Sequence, residues 1–500
     1  MAGQVPYLFC LLALVLASMC FVSAKSSNLS VHFNRTSFPA DFIFGTATAA
    51  YMIEGATNID GRGPSTWDTF IKNHPEKIPD SPDAKNADVA CDFYHRYKED
   101  VQLLKKIGVD SFKFSISWSR VLPKGKVSGG VNPLGVKFYN DLINELLSNG
   151  IKPLAFLMHN DPPQALEDEY NGPLSTNFVN DFQDYADFCF KTFGDRVKLW
   201  ATMNEPISIS VNGYSTSTFP PGRCSSYVPN CTAAGDSATE LYIVGHNFLL
   251  AHGAAVKVYR DKYQPYQKGK IGVATYSTWI DPKYETSSSR EAASRFMDFV
   301  FGWFVDPVIF GDYPERLKSI LGNRLPKFTE AQSKLLKGSL DFLGLSYYSA
   351  GYAETLPPAN GVNVTFWTDV HANITSVNTH INSLSLCQPE GLRKLLLYIK
   401  EKYNNPVTFI TENGIGDPDL IDITNDSGRI EYYYVHLLSI SKAIKEGANV
   451  KAHYSWSFLD SFEWDASYFI KNGITFVDFK DNLKRHLKDS SYWFKKFLLK

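Results

Sequence analysis

The sequence predicts a closed barrel of eight parallel strands with helices outside, a (β/α)8 TIM-barrel fold in the α/β class with extended βα loops. Three observations predict it. Short β-branched and aromatic runs alternate with longer amphipathic stretches. The alternation repeats eight times, which an open two-layer fold does not need. No Gly-rich phosphate turn follows the first run, where a doubly wound nucleotide-binding sheet would carry one; Gly45-Thr46-Ala47-Thr48 stands there instead.

The eight runs are Phe42–Tyr51, Ser111–Trp118, Lys152–Asn160, Leu199–Glu205, Lys270–Tyr276, Phe342–Ser349, Pro406–Gly414 and Val450–Phe458. Between them, Tyr94–Ile107, Val136–Ser148, Phe178–Phe193 and Gly391–Tyr403 repeat apolar residues at helical spacing. No Ser/Gly linker or charge block divides the chain, so residues 25–500 read as one catalytic barrel. Ser208–Ser237, bearing Pro and Gly, reads as a long βα loop.

Composition bounds the partners. The 500 residues are 44% apolar, enough for a large core, and the formal net charge is −2 with no basic block. That balance argues against nucleic acid and anionic membrane. Residues 1–24 read as a secretory signal, with an apolar run ending Val22-Ser23-Ala24, and no later run is long enough to span a bilayer. The expected location is the secretory pathway, with vacuole, apoplast and endoplasmic reticulum lumen all compatible. The chain ends Phe-Leu-Leu-Lys, without a retention tetrapeptide. Six N-glycosylation acceptors, Asn28, Asn34, Asn230, Asn363, Asn373 and Asn425, agree with secretion. Cys224 and Cys231 bracket a short loop and suit a local disulfide, whereas Cys91, Cys189 and Cys387 lack metal-ligand spacing and read as buried thiols.

In such barrels the active site lies at the C-terminal strand ends. Strand four ends Asn204-Glu205-Pro206, strand seven Thr411-Glu412-Asn413-Gly414, and strand three His159-Asn160-Asp161; strand eight leads through Trp456 to Phe462-Glu463-Trp464. Two carboxyls aimed at one pocket from nearly opposite strands suit glycosidic cleavage. One protonates the leaving oxygen, and the other attacks the anomeric carbon or activates water. A pair roughly 5–5.5 Å apart gives retention of configuration and a wider pair inversion. Arg120 and Asp161 read instead as structural ion-pair or turn residues.

These motifs, in this order, resemble the family 1 glycoside hydrolases, and most closely the plant β-glucosidases. The likeness runs from Phe38-Pro39 and Phe44-Gly45-x-Ala47-Thr48-Ala49-Ala50-Tyr51, through Phe114-Ser115-Ile116-Ser117-Trp118-Ser119-Arg120, to Trp456-Ser457-Phe458-Leu459-Asp460. It implies Glu205 as general acid/base and Glu412 as the nucleophile of a retaining hydrolase. It also implies Asn204 on the sugar 2-hydroxyl, His159 and Trp464 on the 3-hydroxyl, and Glu463 on the 4- and 6-hydroxyls. Trp456 would lie beneath the apolar sugar face, and Tyr348 would hydrogen-bond Glu412. The implied partner is a small-molecule glycoside, with a homodimer left open; no metal or organic cofactor is implied, and no membrane once the signal is gone. An optimum near about pH 5–6 follows if Glu205 must be protonated while Glu412 is ionised.

Four positions depart from the family pattern. Met52 stands for a Gln, Lys113 for an Arg, Asn160 for a Trp and Ser346 for an Asn. A thioether cannot make two directed hydrogen bonds, and Lys keeps the charge but loses the rigid fork of Arg. At about 1 kcal/mol per lost contact, the four together could remove on the order of 10³-fold in rate. The expectations are therefore three: a β-glucosidase with an altered sugar pocket releasing a specialised-metabolite aglycone, a transglucosidase passing the same intermediate to an acceptor alcohol, or a repurposed barrel with little glycosidase activity.

Overall fold

A computed structural model describes residues 33–79, 81, 86–357, 361–376, 388–416 and 424–499. The expected signal, Asn28 and Cys387 lie outside them.

Eight parallel strands close on themselves. They are β1 (Ile43–Ala47), β2 (Ser111–Ser115), β3 (Lys152–Met158), β4 (Leu199–Asn204), β5 (Lys270–Tyr276), β6 (Phe342–Ser346), β7 (Thr408–Asn413) and β8 (Val450–Trp456). Each pairs with its neighbours in chain order, and β1 pairs with both β2 and β8, which completes the ring. Strands walled in on both faces need apolar residues throughout, and Pro153 to Met158 of β3 are buried without a break. Gly45 lets β1 pass close to β8: a Cβ there would sit 2.3 Å from the Tyr454 ring.

The helices bury one stripe each. α1 (Phe93–Ile107) ends at Gly108 in the left-handed region, φ 89°, a standard helix stop. α2 (Pro133–Ser148) starts with Asn132 capping the Leu134 N–H and Pro133 in the first turn. α3 (Asn177–Phe193) turns Phe178, Phe182, Tyr185, Cys189 and Phe193 inward, and α4 (Glu240–Val258), buried along most of its length, packs against it. No helix among the described residues is long and apolar enough to cross a membrane.

The structure corrects the expected boundaries. All eight runs are strands, but seven were drawn too long, and only Lys270–Tyr276 ends where expected. Phe42–Tyr51 stops at Ala47 and passes into a helical turn, Ala50–Ile53. The alternating pattern continues past the barrel rim because loops covering the pocket are themselves buried. Ser208–Ser237 is not loop throughout either. It begins inside a helix, Pro206–Tyr214, whose residues are almost all buried against the barrel.

Beyond that helix, Cys224 and Cys231 form a disulfide with Cα atoms 5.7 Å apart. Cys91 and Cys189 are buried free thiols, as expected. Asn230, Asn363, Asn373 and Asn425 are exposed, while Asn34 is half-buried and caps a short turn through Thr36 N–H. A three-stranded sheet sits over β5 and β6, formed by Trp279–Pro282, Ala350–Thr355 and Ala372–Ser376.

Candidate active site

The C-terminal ends of β2, β3, β4, β6, β7 and β8 bring the expected polar residues together. Glu412 closes β7 with its side chain 3% exposed, and each of its carboxylate oxygens has a donor. Lys113 from β2 pairs with Oε1, and Tyr348 donates to Oε2 at 2.5 Å. The His159 Nε2 lies 3.8 Å from Oε1. In register, Glu412 stands beside Ser346 of β6, which stands beside Tyr276 of β5.

Lys113 differs from what its family position suggests. A guanidinium could have bridged both oxygens of one carboxylate. The ammonium instead divides itself between Glu412 and Asn204 Oδ1, the latter at 3.0 Å. It is fully buried, with the Phe156 ring centroid 4.3 Å away and that of Trp456 5.5 Å away. Burial lowers its pKa, and the Glu412 and Glu205 carboxyls oppose that shift.

Accepting from Lys113 fixes the Asn204 amide, so Nδ2 points at His159 Nε2, 3.1 Å away. An amide donor there requires an imidazole acceptor, hence a neutral ring. Burial, reinforced by Lys113, holds the His159 pKa well below its ordinary value, which agrees. The His159 ring then stacks on Trp464, centroids 5.6 Å apart, and tilts against Trp456 at 5.7 Å. Trp464 also lies flat on Tyr51, 6.2 Å away. Trp456 Nε1 donates weakly to Glu463 at 3.4 Å, and burial pushes the Glu463 carboxyl up to about 8.

Glu205 occupies a different environment. It follows β4 in the left-handed region, φ 41°, where a non-glycine residue is held under strain, and it occupies the N-cap position of the helix Pro206–Tyr214 without a side-chain capping bond. The Ser208 hydroxyl donates to its Oε2 at 2.9 Å. Burial and the charge of Glu412 push its carboxyl up to about 7; the hydroxyls of Ser346 and Ser208 and the charge of Lys113 moderate the rise.

The other departures are placed as follows. Met52 is buried in the turn after β1 and contacts Phe462 N–H through its carbonyl at 3.4 Å. Asn160 sits at φ 61°, buried, with Oδ1 unpartnered. Arg120 and Asp161 are structural: Arg120 donates to Glu54 at 2.7 Å and to Gly55 O at 2.8 Å, and Asp161 accepts from His159 N–H at 3.2 Å. Among the described residues no group of three or more His, Cys, Asp or Glu side chains could hold a metal ion.

One part of the site was missed from sequence. A cavity of about 370 Å³ opens beside Glu205, walled by Ile207, Val211, Ile280, Phe296, Val300 and Phe366, with Trp367 at its rim. Ser208, three residues beyond Glu205 on the helix and so on the same face, would have been the signal had this stretch not been read as a loop.

The elevated carboxyls fix a pH dependence. Activity that needs protonated Glu205 falls as pH rises through about 7. Stability follows the same direction. Both Glu205 and Glu463 have folded pKa values above the ordinary 4.5, so their contribution is full below about 4.5 and is lost as pH rises through about 7 and about 8. Rate and melting temperature measured from pH 5 to 9 should both decline, and Glu463→Gln should flatten the upper part of the melting curve. A melting temperature that rises between pH 6 and 8 counts against these environments.

Residues 34–500 match Glycosyl hydrolase family 1. The whole chain is 52% identical to Beta-glucosidase 12 of Oryza sativa subsp. indica, covering 99% of that protein, and 94% of it is 51% identical to Beta-glucosidase 17 of Arabidopsis thaliana, covering 92%. The structure is similar to the rice Os3BGlu6 β-glucosidase, solved in a covalent complex with Glc, with a TM-score of 0.90 at 43% identity over 94% of this chain and 100% of that one. With a closed barrel carrying two coupled carboxyls at its mouth, these matches show that the chain belongs to glycosyl hydrolase family 1 and is a glycoside hydrolase of the β-glucosidase type.

Proposed function

We propose that the enzyme cleaves the β-glucoside of a small-molecule aglycone with retention, through a covalent glycosyl-enzyme. The observation that carries this reading is the contrast between the two carboxyls. Burial and a neighbouring charge raise Glu205, whereas Glu412 is held by a cation and a phenol. A raised carboxyl beside one held by a cation and a phenol supports Glu205 as the acid and Glu412 as the nucleophile.

In the first step Glu205 gives its proton to the glycosidic oxygen as the bond to C1 breaks. Glu412 attacks C1 and forms an ester, and the aglycone leaves as an alcohol. In the second step Glu205, now a carboxylate, takes a proton from water as the water oxygen attacks C1. The ester opens, glucose leaves with its original configuration, and both carboxyls return to their starting states. Lys113 and Tyr348 neutralise the carboxylate that attacks and receive it again when it departs. Asn204, fixed by Lys113, is placed to meet the sugar hydroxyl next to C1, and Trp456 and Glu463 to meet the rest of the ring.

A 2-deoxy-2-fluoro β-glucoside with a good leaving group should trap the intermediate. Mass spectrometry of the digested protein should find one fluorosugar on the peptide containing Glu412. A folded protein that stays unlabelled, or carries the label elsewhere, overturns the reading.

A further inference from the structure

We infer that the cavity beside Glu205 receives the aglycone, and that it selects an uncharged, apolar, ring-bearing alcohol rather than a second sugar, with Trp367 as its outer platform. This rests on the glucosidase reading above and names the substrate class for it.

The cavity is built from four segments of the chain. Ile207 and Val211 come from the helix that follows Glu205. Ile280 comes from the short sheet over β5 and β6, and Phe296 and Val300 from the chain after β5. Phe366 and Trp367 start a one-turn helix whose first residues are capped by the Thr365 hydroxyl. Glu205 is part of the lining, so a group that fills the space lies next to the oxygen that Glu205 protonates. Trp367 also lines the cavity and is 49% exposed, with its ring edge-on to Phe366 at 5.1 Å. A half-exposed indole at the mouth of an apolar cavity leaves a flat hydrophobic face open to a ligand.

Polarity argues for the ligand class. Among the described residues of the lining, Glu205 is the one acidic or basic side chain. A sugar in this space would present hydroxyls on every side and would need several free polar partners. Two of the hydroxyls here are already engaged: Ser208 donates to Glu205, and Thr278 donates to Ser349 O at 2.5 Å. The Asn212 amide, the Ser349 hydroxyl and the Tyr276 phenol remain, enough to orient one polar group but too few to replace the water around a hexose. A buried carboxylate on the ligand would meet no cation among the described lining residues and would face Glu205. A volume of about 370 Å³ lies at the small end of ligand pockets and suits a one- or two-ring group.

The test compares three glucosides with unactivated alcohol leaving groups: 2-phenylethyl β-glucoside, its analogue bearing a ring carboxylate, and cellobiose. β-Glucosyl fluoride, which has no aglycone to fill the cavity, reports on the catalytic carboxyls alone. We expect kcat/KM for the phenylethyl compound to exceed that of cellobiose and of the carboxylate analogue by about tenfold or more. Trp367→Ala should lower the ratio of phenylethyl glucoside to glucosyl fluoride turnover by about tenfold. Val300→Phe, which narrows the cavity, should lower the same ratio; thermal melts confirm that both variants fold. Preference for cellobiose or the charged analogue, or an unchanged ratio in both variants, overturns the inference while glucosyl fluoride turnover upholds the catalytic reading. No turnover of glucosyl fluoride by the unaltered enzyme means that the catalytic reading itself has failed.

Discussion

Glu412→Gln should reduce kcat by on the order of 10⁶-fold, the scale on which removal of a covalent nucleophile acts. The amide keeps the shape of the carboxylate but cannot form the ester. It also disturbs its neighbours. Lys113 and Tyr348 both point donors at this side chain, so the amide nitrogen must face one of them. The buried Lys113 is then left without its anion, a state that costs about 3–5 kcal/mol when one partner of a buried pair is removed. Burial already lowers the Lys113 pKa, so loss of its proton relieves part of that cost. The variant should therefore be inactive and melt lower, and pairing it with Lys113→Met should recover much of the melting temperature but none of the activity. A Glu412→Gln protein retaining a hundredth of native kcat would rule out Glu412 as nucleophile.

Lys113→Met should be nearly as damaging, through the opposite charge. Met approximates the length of the Lys stem but leaves Glu412 buried beside no cation, again at about 3–5 kcal/mol. Protonation of Glu412 then becomes the easier outcome, and the nucleophile is lost at neutral pH. Raising the pH restores it, but Glu205 gives up its proton through about 7. The two demands cross, and hydrolysis of ordinary glucosides should fall by about 10²–10⁴-fold at every pH. β-Glucosyl fluoride needs no acid, so its turnover by the variant should recover at alkaline pH. Lys113→Arg keeps the charge and should remain active. An unaltered pH profile in Lys113→Met would show that the ammonium does not govern Glu412.

Much of this was legible in the sequence, for physical reasons that can be named. Strands walled in on both faces must be apolar, and helices must bury a stripe, so the alternation marked all eight strands and four of the helices between them, while Pro206–Tyr214 was hidden inside an expected loop. Site residues were legible because the barrel delivers strand ends to one rim: Glu205, Glu412, His159 and Trp456 each follow or close a strand, and the distance between their positions in the chain does not matter. What could not be read was mutual orientation. That Lys113 would bridge Glu412 and Asn204 depends on which way a flexible stem folds. The cavity was hidden for a further reason. Val300 and Phe366 carry the same apolar signature as any core residue, and nothing in a linear pattern separates a side chain that fills space from one that borders it. Strand lengths were overestimated because residues such as Thr48 and Ser117, beyond the rim, are as buried as those inside it.

Ring closure by β1 and β8 has a consequence for biosynthesis. Ile43–Ala47 leaves the ribosome long before Val450–Trp456, yet its outer hydrogen-bonding edge is satisfied only by that last strand. Until translation is nearly finished the nascent chain carries two raw edges, those of β1 and β7, and a half-built mouth lacking Trp456 and Glu463. A chain truncated before Val450 keeps both edges open and, lacking Trp456 and Glu463, cannot assemble the complete mouth.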